Sequence, residues 1–343
     1  ARSGYTTLAC LPDTDPPIDT ESAVEYVHLQ GERAGGAEVF AIAAMTKGRK
    51  GESLAEIGQL AKAGALAFSD CQPVEDADVL LKGLKYASMF GKRVIDVPRD
   101  PHLGGGVMNA GLASTLAGLS GSPAVAEELA VVRGTLLARE ANGAYHAAHV
   151  STVGAIKRMQ EAKEDGIDAS AAVAPYNILM TEDLVREHYD TRFKLRPPLR
   201  RLRDIESVIF GLKIGAIDAL ISAHAPVGDE GKAHEFDYAP FGGSTLEATF
   251  SAACEAVVHR ADLGVVKLVE LASTNPARLL GLDGRKGSLR VGADGDVVLF
   301  DPNTSVKIDS RDFISKSHVC PYEGMTLRGA VRATVIAGKV FGA

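Results

Sequence analysis

Short apolar runs alternate along this chain with longer stretches whose apolar positions recur every three or four residues. "YTTLACLP" precedes the helical pattern "TESAVEYVHLQGERA", and "AEVFAIAAMT" precedes "ESLAEIGQLAKAG". "ALAFSD" leads into "DADVLLKGLKYASMFG", and "RVIDVP" follows. "VAEELAVVRGTLLAREANG" reads as a long amphipathic helix ahead of the strand "AYHAAHVS". "VGAIKRMQEAKEDG" then leads to "IDASAAVAP", and "IESVIFGLKIG" to "IDALISAHAP". Seven strands alternating with helices predict a parallel sheet, most simply a (β/α) barrel.

The rhythm changes after residue 283. "GSLRVGADGDVVLFDPNTSVKI" and "LRGAVRATVIAGKVFG" alternate at period two around Gly-Asp turns, as small antiparallel strands do. Two units are expected: a barrel over 1–283 and a β-rich appendage over 284–343. "ARSGYTTLAC" reads as the last turn of a helix entering a strand. Seven strands leave two edges unpaired in an eight-stranded barrel, so the first strand–helix unit is expected to lie outside this sequence.

Composition narrows the class. With 343 residues, 46% of them hydrophobic, the chain can bury a large α/β core. A net charge of −7 without a basic stripe gives no footing for nucleic acid. No apolar run approaches the roughly 20 residues that cross a bilayer, and no signal peptide is evident. Cys10, Cys71, Cys254 and Cys320 lie far apart, which fits free thiols in a reducing cytoplasm.

The stretch "DALISAHAPVGDEGK" runs from a strand into a charged loop, the place where barrels carry catalytic groups. Its proton-moving residue is His224, read as an acid or base or, preferably, as a structural neighbour of Ala223. "HLGGGV" lacks the strand, lysine and helix of a phosphate cradle and reads as a permissive loop. Arg196, Arg200, Arg201 and Arg203 concentrate charge, either as an anion or partner contact or as a solvated helix start.

"GYTTLACLPDTDPPIDT", "ALAFSDCQPV", "YHAAHVST", "KLRPPLR", "AHAPVGDEGK" and "STNPARLLGL" occur here in an order that resembles the dihydroorotase family of the amidohydrolase superfamily. The resemblance implies a (β/α)8 TIM-type barrel with a small β-sandwich appendage. It also implies reversible, zinc-assisted hydrolysis of a cyclic amide in pyrimidine synthesis. The family's His-x-His pair has no counterpart in this sequence. Where the family has the ligand of Ser-Asp-Asp-Gly, the chain has Cys71; where it has a ligand histidine on the next strand, it has Val97. His149 matches a ligand position. Ala223 stands where the family has an aspartate that is both ligand and general base.

The substrate positions also depart, with Asp13, Arg196 and Val227 at altered places, and Tyr176 and Asn177 where the family has a histidine pair. One imidazole cannot hold zinc alone, so no cofactor is expected. His149 is read as a vestigial ligand or, preferably, a hydrogen-bonded strand-end residue, and His146 as a polar bridge. Cys71 is preferably a buried thiol rather than ligand or nucleophile, and Asp70 and Asp100 are expected to cap turns.

The resemblance extends to non-catalytic members, which partner aspartate transcarbamoylase. It implies a cytoplasmic homo-oligomer without enzymatic activity. Two alternatives stay open. One is an active zinc enzyme completed by a preceding segment and rebuilt from Cys71, His149 and Asp70 or Asp100. The other is a small-ligand sensor whose Asp13 and Arg196 favour a zwitterion.

Overall fold

The computed structural model describes residues 1–342. Seven strands run parallel in two sheets, a pair of β1 (Thr7–Cys10) and β2 (Glu38–Ala41) and a five-stranded sheet of β3 (Ala67–Phe68), β4 (Arg93–Asp96), then β7 (Tyr145–Ala147), β8 (Ala169–Val173) and β9 (Ala219–Leu220). A single bridge, Ala43 to Phe68, joins the first pair to the rest. These are the seven expected strands. Two short strands, β5 (Met108–Asn109) and β6 (Gly121–Ser122), pair in parallel inside the long excursion between β4 and β7. The sequence pattern did not announce them.

Helices cover the outside of the sheet. Strands packed on both faces read as continuous apolar runs, and every residue of β7 and β8 is buried. Thr20, Asp76 and Thr152 cap the helices Glu21–Ala34, Ala77–Ser88 and Val153–Glu164, each accepting from a first-turn amide. Helix Ala124–Ala141 passes so close to β7 that a Cβ on Gly134 would sit 2.3 Å from the Tyr145 ring. Only glycine admits that approach, and the seated Tyr145 hydroxyl donates to Asp96 Oδ2 at 2.9 Å.

Two expectations are corrected. The helical pattern from Glu52 yields a helix only over Ile57–Lys62, because Ala55 and Lys47 amides bond to the Met45 and Ser53 carbonyls and hold the preceding segment as a tight loop. The first residues form a turn closed by Gly4 N on the Ala1 carbonyl at 3.1 Å, not a helix end.

At the other end, β10 (Val297–Lys307), β11 (Thr326–Ile336) and β12 (Lys339–Gly342) make one antiparallel sheet. It is anchored to the helical segment 249–260: Ser251 Oγ donates to the Gly329 carbonyl at 2.6 Å, and Arg328 forks onto Glu255. Between barrel and sheet, Lys286 Nζ lies 2.8 Å from Glu38 on β2 and 2.6 Å from Asp296. A second apolar cluster, including Met108, Tyr176, Leu199, Phe236 and Tyr322, packs beneath the loops at the strands' C-terminal ends.

Candidate functional site

Cys71, Val97, His149 and Ala223 follow β3, β4, β7 and β9 within three residues, so all four stand at the C-terminal mouth of the sheet. Three share an uncommon backbone. Cys71 has φ 57°, His149 φ 61° and Ala223 φ 50°. For residues with a Cβ this left-handed region costs of order 1–3 kcal/mol and is retained where surrounding structure dictates it. Three of these four residues at the mouth therefore sit in strained left-handed turns.

The His149 Nδ1–H donates to the Arg196 carbonyl at 3.1 Å, which leaves the Nε2 lone pair free. Burial holds its pKa below the usual imidazole range, against the pull of that carbonyl. The Cys71 amide donates to Ser69 Oγ at 3.1 Å. Burial, reinforced by the Asp13 carboxylate, pushes its thiol up to about 12, so at neutral pH it is a thiol rather than a nucleophilic thiolate. Val97 is aliphatic, and Ala223 brings a methyl.

His224 Nδ1 accepts the Thr245 and Leu246 amides at 3.1 and 3.2 Å, so that nitrogen carries no proton. Burial lowers its pKa, which keeps the ring in this accepting form. It fixes the loop 244–246 against the strand end, which is the structural role expected of it. His146 is sealed between strands, its Nδ1 2.8 Å from Ser170 Oγ, and burial with nearby cations depresses it to about 3.

Asp70 accepts the Met45 and Thr46 amides at 2.9 and 3.0 Å and the Thr46 hydroxyl at 2.6 Å. Asp100 accepts the His102 and Leu103 amides at 3.0 and 2.9 Å. Both shape turns.

Zinc of the family's kind would find one imidazole lone pair and one protonated thiol here. A zinc site takes three or four ligands, and among the described residues no group of three or more His, Cys, Asp or Glu is placed to hold a metal ion. The donor set does not fit zinc.

The substrate-side positions are dispersed. Asp13 is exposed on the loop after β1. The Val227 carbonyl accepts Ser317 Oγ at 2.7 Å. Tyr176 donates its hydroxyl to the Arg196 carbonyl at 2.9 Å, and Asn177 donates to the Pro198 carbonyl at 3.3 Å. The Arg196 guanidinium lies 3.8 Å from the centre of the Phe241 ring. Burial and the neighbouring Arg99 push it down to about 10.

The four arginines do not form one continuous surface patch, since Arg200 is buried and Arg203 exposed. Arg200 is buried, with Nε 3.1 Å from Ser151 Oγ, Nη1 2.6 Å from Asn109 Oδ1 and Nη2 3.4 Å from Glu127 Oε2. Arg201 lies 3.8 Å from Asp204, and Arg203 is exposed at the start of the helix Leu202–Ile214. Glu127 also accepts the Ser151 and Thr152 amides at 2.6 and 3.0 Å. This network and Arg99 were not singled out from sequence. A cation two residues past Val97, at a strand end, was the available signal for Arg99.

Comparison with known proteins agrees with the barrel. The Dihydro-orotase-like family model matches residues 1–155, and the Amidohydrolase family model matches 146–341. The L-hydantoinase (dihydropyrimidinase) from Arthrobacter aurescens superimposes with a TM-score of 0.87 at 24% identity, over 100% of this chain and 78% of that one. A dihydropyrimidinase from Brevibacillus agri gives 0.80 at 21%, over 98% and 77%. Fold and models together define an amidohydrolase-type barrel protein.

Sequence relatives narrow this further. A protein named dihydroorotase from Caldanaerobacter subterraneus subsp. tengcongensis is 40% identical over 99% of this chain and 78% of its own length. Another so named, from a Thermoanaerobacter species, is 41% identical over the same shares. The chain belongs to the dihydroorotase family.

Proposed function

We propose that this member of the family does not hydrolyse dihydroorotate and instead serves as a structural partner in pyrimidine biosynthesis. One observation carries the reading: Ala223 keeps the left-handed turn at a strand end and offers no carboxylate there. Amide hydrolysis of this kind needs a water activated by metal and a group that carries its proton to the leaving nitrogen. His224 sits beside the position, but its Nδ1 is occupied by two backbone amides. Cys71 stays protonated and Val97 cannot ligate.

The partner's chemistry is that of an aspartate transcarbamoylase-type subunit, with the chain itself a cytoplasmic homo-oligomer; the resemblance to non-catalytic family members supports this. No helix among the described residues is long and apolar enough to cross a membrane.

A second reading has one observation in its favour: relatives named dihydroorotase align at 40–41% identity over 99% of the chain. On that reading, residues outside this sequence complete a zinc site around His149. Asp70 and Asp100, its other candidate donors, are occupied by turn amides.

The test is dihydroorotate turnover by the full-length protein with zinc supplied, in both directions. No rate above the uncatalysed one is expected, and measurable turnover overturns the proposal. Co-elution with a co-expressed aspartate transcarbamoylase is expected; separate elution removes the partner role.

A further inference from the structure

Two lysines in the loops around the mouth are buried, where that side chain is almost never found without a counter-charge. Lys194 is 2% exposed and Lys232 7%. Main-chain carbonyls hold their ammonium groups instead. Lys194 Nζ donates to the Phe236 and Asp237 carbonyls at 2.7 and 2.8 Å, with the Phe241 ring centre 4.9 Å away. Lys232 Nζ donates to the Thr191 carbonyl at 2.7 Å and the Lys194 carbonyl at 3.3 Å. Burial, with Lys194 beside it, pushes Lys232 down to about 8 against the pull of Asp190, which leaves it charged in most molecules at pH 7.

The two clasps are reciprocal. Lys194 stands on the segment 190–196 and grips the chain that follows β9, while Lys232 stands on that chain and grips 190–196. Thr191 Oγ1 donates to the Lys232 carbonyl at 2.6 Å, and the Gly242 amide to the Lys194 carbonyl at 3.0 Å. The base of the loop is closed where the Ala225 amide meets the Gly243 carbonyl at 3.1 Å. Gly242, at φ 112°, passes so near that a Cβ would sit 2.4 Å from the Ala225 carbonyl oxygen. The segment 190–196 is itself fixed to the barrel, since the Arg196 carbonyl accepts from His149 and Tyr176. A loop that moves over a mouth has few buried contacts of its own. Lifting this one would strip two charged donors of their acceptors at the same moment.

We propose that residues 225–243 form a latched strap beside Ala223, held closed as one unit by Lys194 and Lys232, and do not swing over the mouth as a lid. The latch depends neither on zinc nor on turnover, so its failure leaves the proposed function untouched.

The experiment is residue-resolved hydrogen exchange of the full-length protein, read at the amides of Lys232, Ala233, Ala239 and Gly242. Their acceptors are carbonyls within the strap or on Lys194. A strap that opens as one unit gives all four a common protection factor, expected at about a hundredfold or more. Lys194→Met and Lys232→Met each remove a charged donor from two carbonyls. Each is expected to speed exchange at all four amides by about tenfold or more, while the Ala171 amide of β8, held by Asp218, stays as it was. Lys157→Met, which removes an exposed ion pair with Glu161, is expected to change none of them. If a methionine variant does not fold, the wild-type pattern decides alone. Unprotected strap amides, or protection that differs more than about tenfold along the strap, overturn the latch. So does exchange that both lysine substitutions leave unmoved, or that they speed equally at Ala171.

Discussion

The strand-end mouth and the buried cluster around Glu127 are both built from chain segments far apart in sequence, yet they differ in how their side chains are tied together. At the mouth the backbone takes left-handed turns at Cys71, His149 and Ala223, while these side chains do not bond to one another. Around Glu127 every group is tied in: Ser151, Thr152 and Arg200 converge on one carboxylate, and Arg200 reaches on to Asn109, whose amide donates to Glu182. The lesson is physical. A buried charge without its partners costs several kcal/mol, so the Glu127 cluster cannot lose a member without unfolding pressure. The side chains at the mouth can vary while the fold stands, because the barrel core is packed side chains.

The sharpest way to break that comparison is to cut the cluster. Glu127→Ala should cost about 3–5 kcal/mol by leaving Arg200 and two amides unpaired, measured by urea unfolding; a loss below about 1 kcal/mol would put both regions on the same footing. Asp70→Ala should cost about 2–3 kcal/mol, since the Met45 and Thr46 amides lose their acceptor. The same denaturation series reads it.

His146 gives a pH signature. Its folded pKa, about 3, lies below the ordinary imidazole value. Between roughly pH 6.5 and 3 the unfolded chain takes up a proton that the folded chain refuses, so this residue makes stability fall as pH falls, by up to about 1.4 kcal/mol per pH unit. His146→Gln should flatten the slope by up to that amount over this window. An unchanged slope would mean that the ring is protonated in place. The smallest effect is at the mouth itself: Ala223→Gly relieves the turn and should stabilise by about 0.5–1 kcal/mol after the added chain entropy of glycine. Destabilisation would show that the turn is not strained.

The barrel was legible because its seven strands are short apolar runs, and period alone separates them from the helices. The cap role of Asp100 was legible from turn chemistry, but Asp70 instead accepts from Met45 and Thr46, too far along the chain for a local pattern to show. The left-handed turns were not legible either, since cysteine, histidine and alanine carry no propensity for them; the surrounding loops impose that shape. Nor was Arg200 legible as a core residue: its sequence shows a cation among cations, and its partner Glu127 lies 73 positions away. The short pair β5–β6 was hidden for another reason: two residues per strand are too few to carry a period.

The most direct test of the central claim is zinc stoichiometry of the full-length protein after dialysis against zinc-free buffer. The account predicts less than about a tenth of an equivalent, since one imidazole and a protonated thiol leave a metal without the ligands that make binding strong. A full equivalent of zinc that survives dialysis would contradict it and would require ligands other than those at residues 71, 97 and 223.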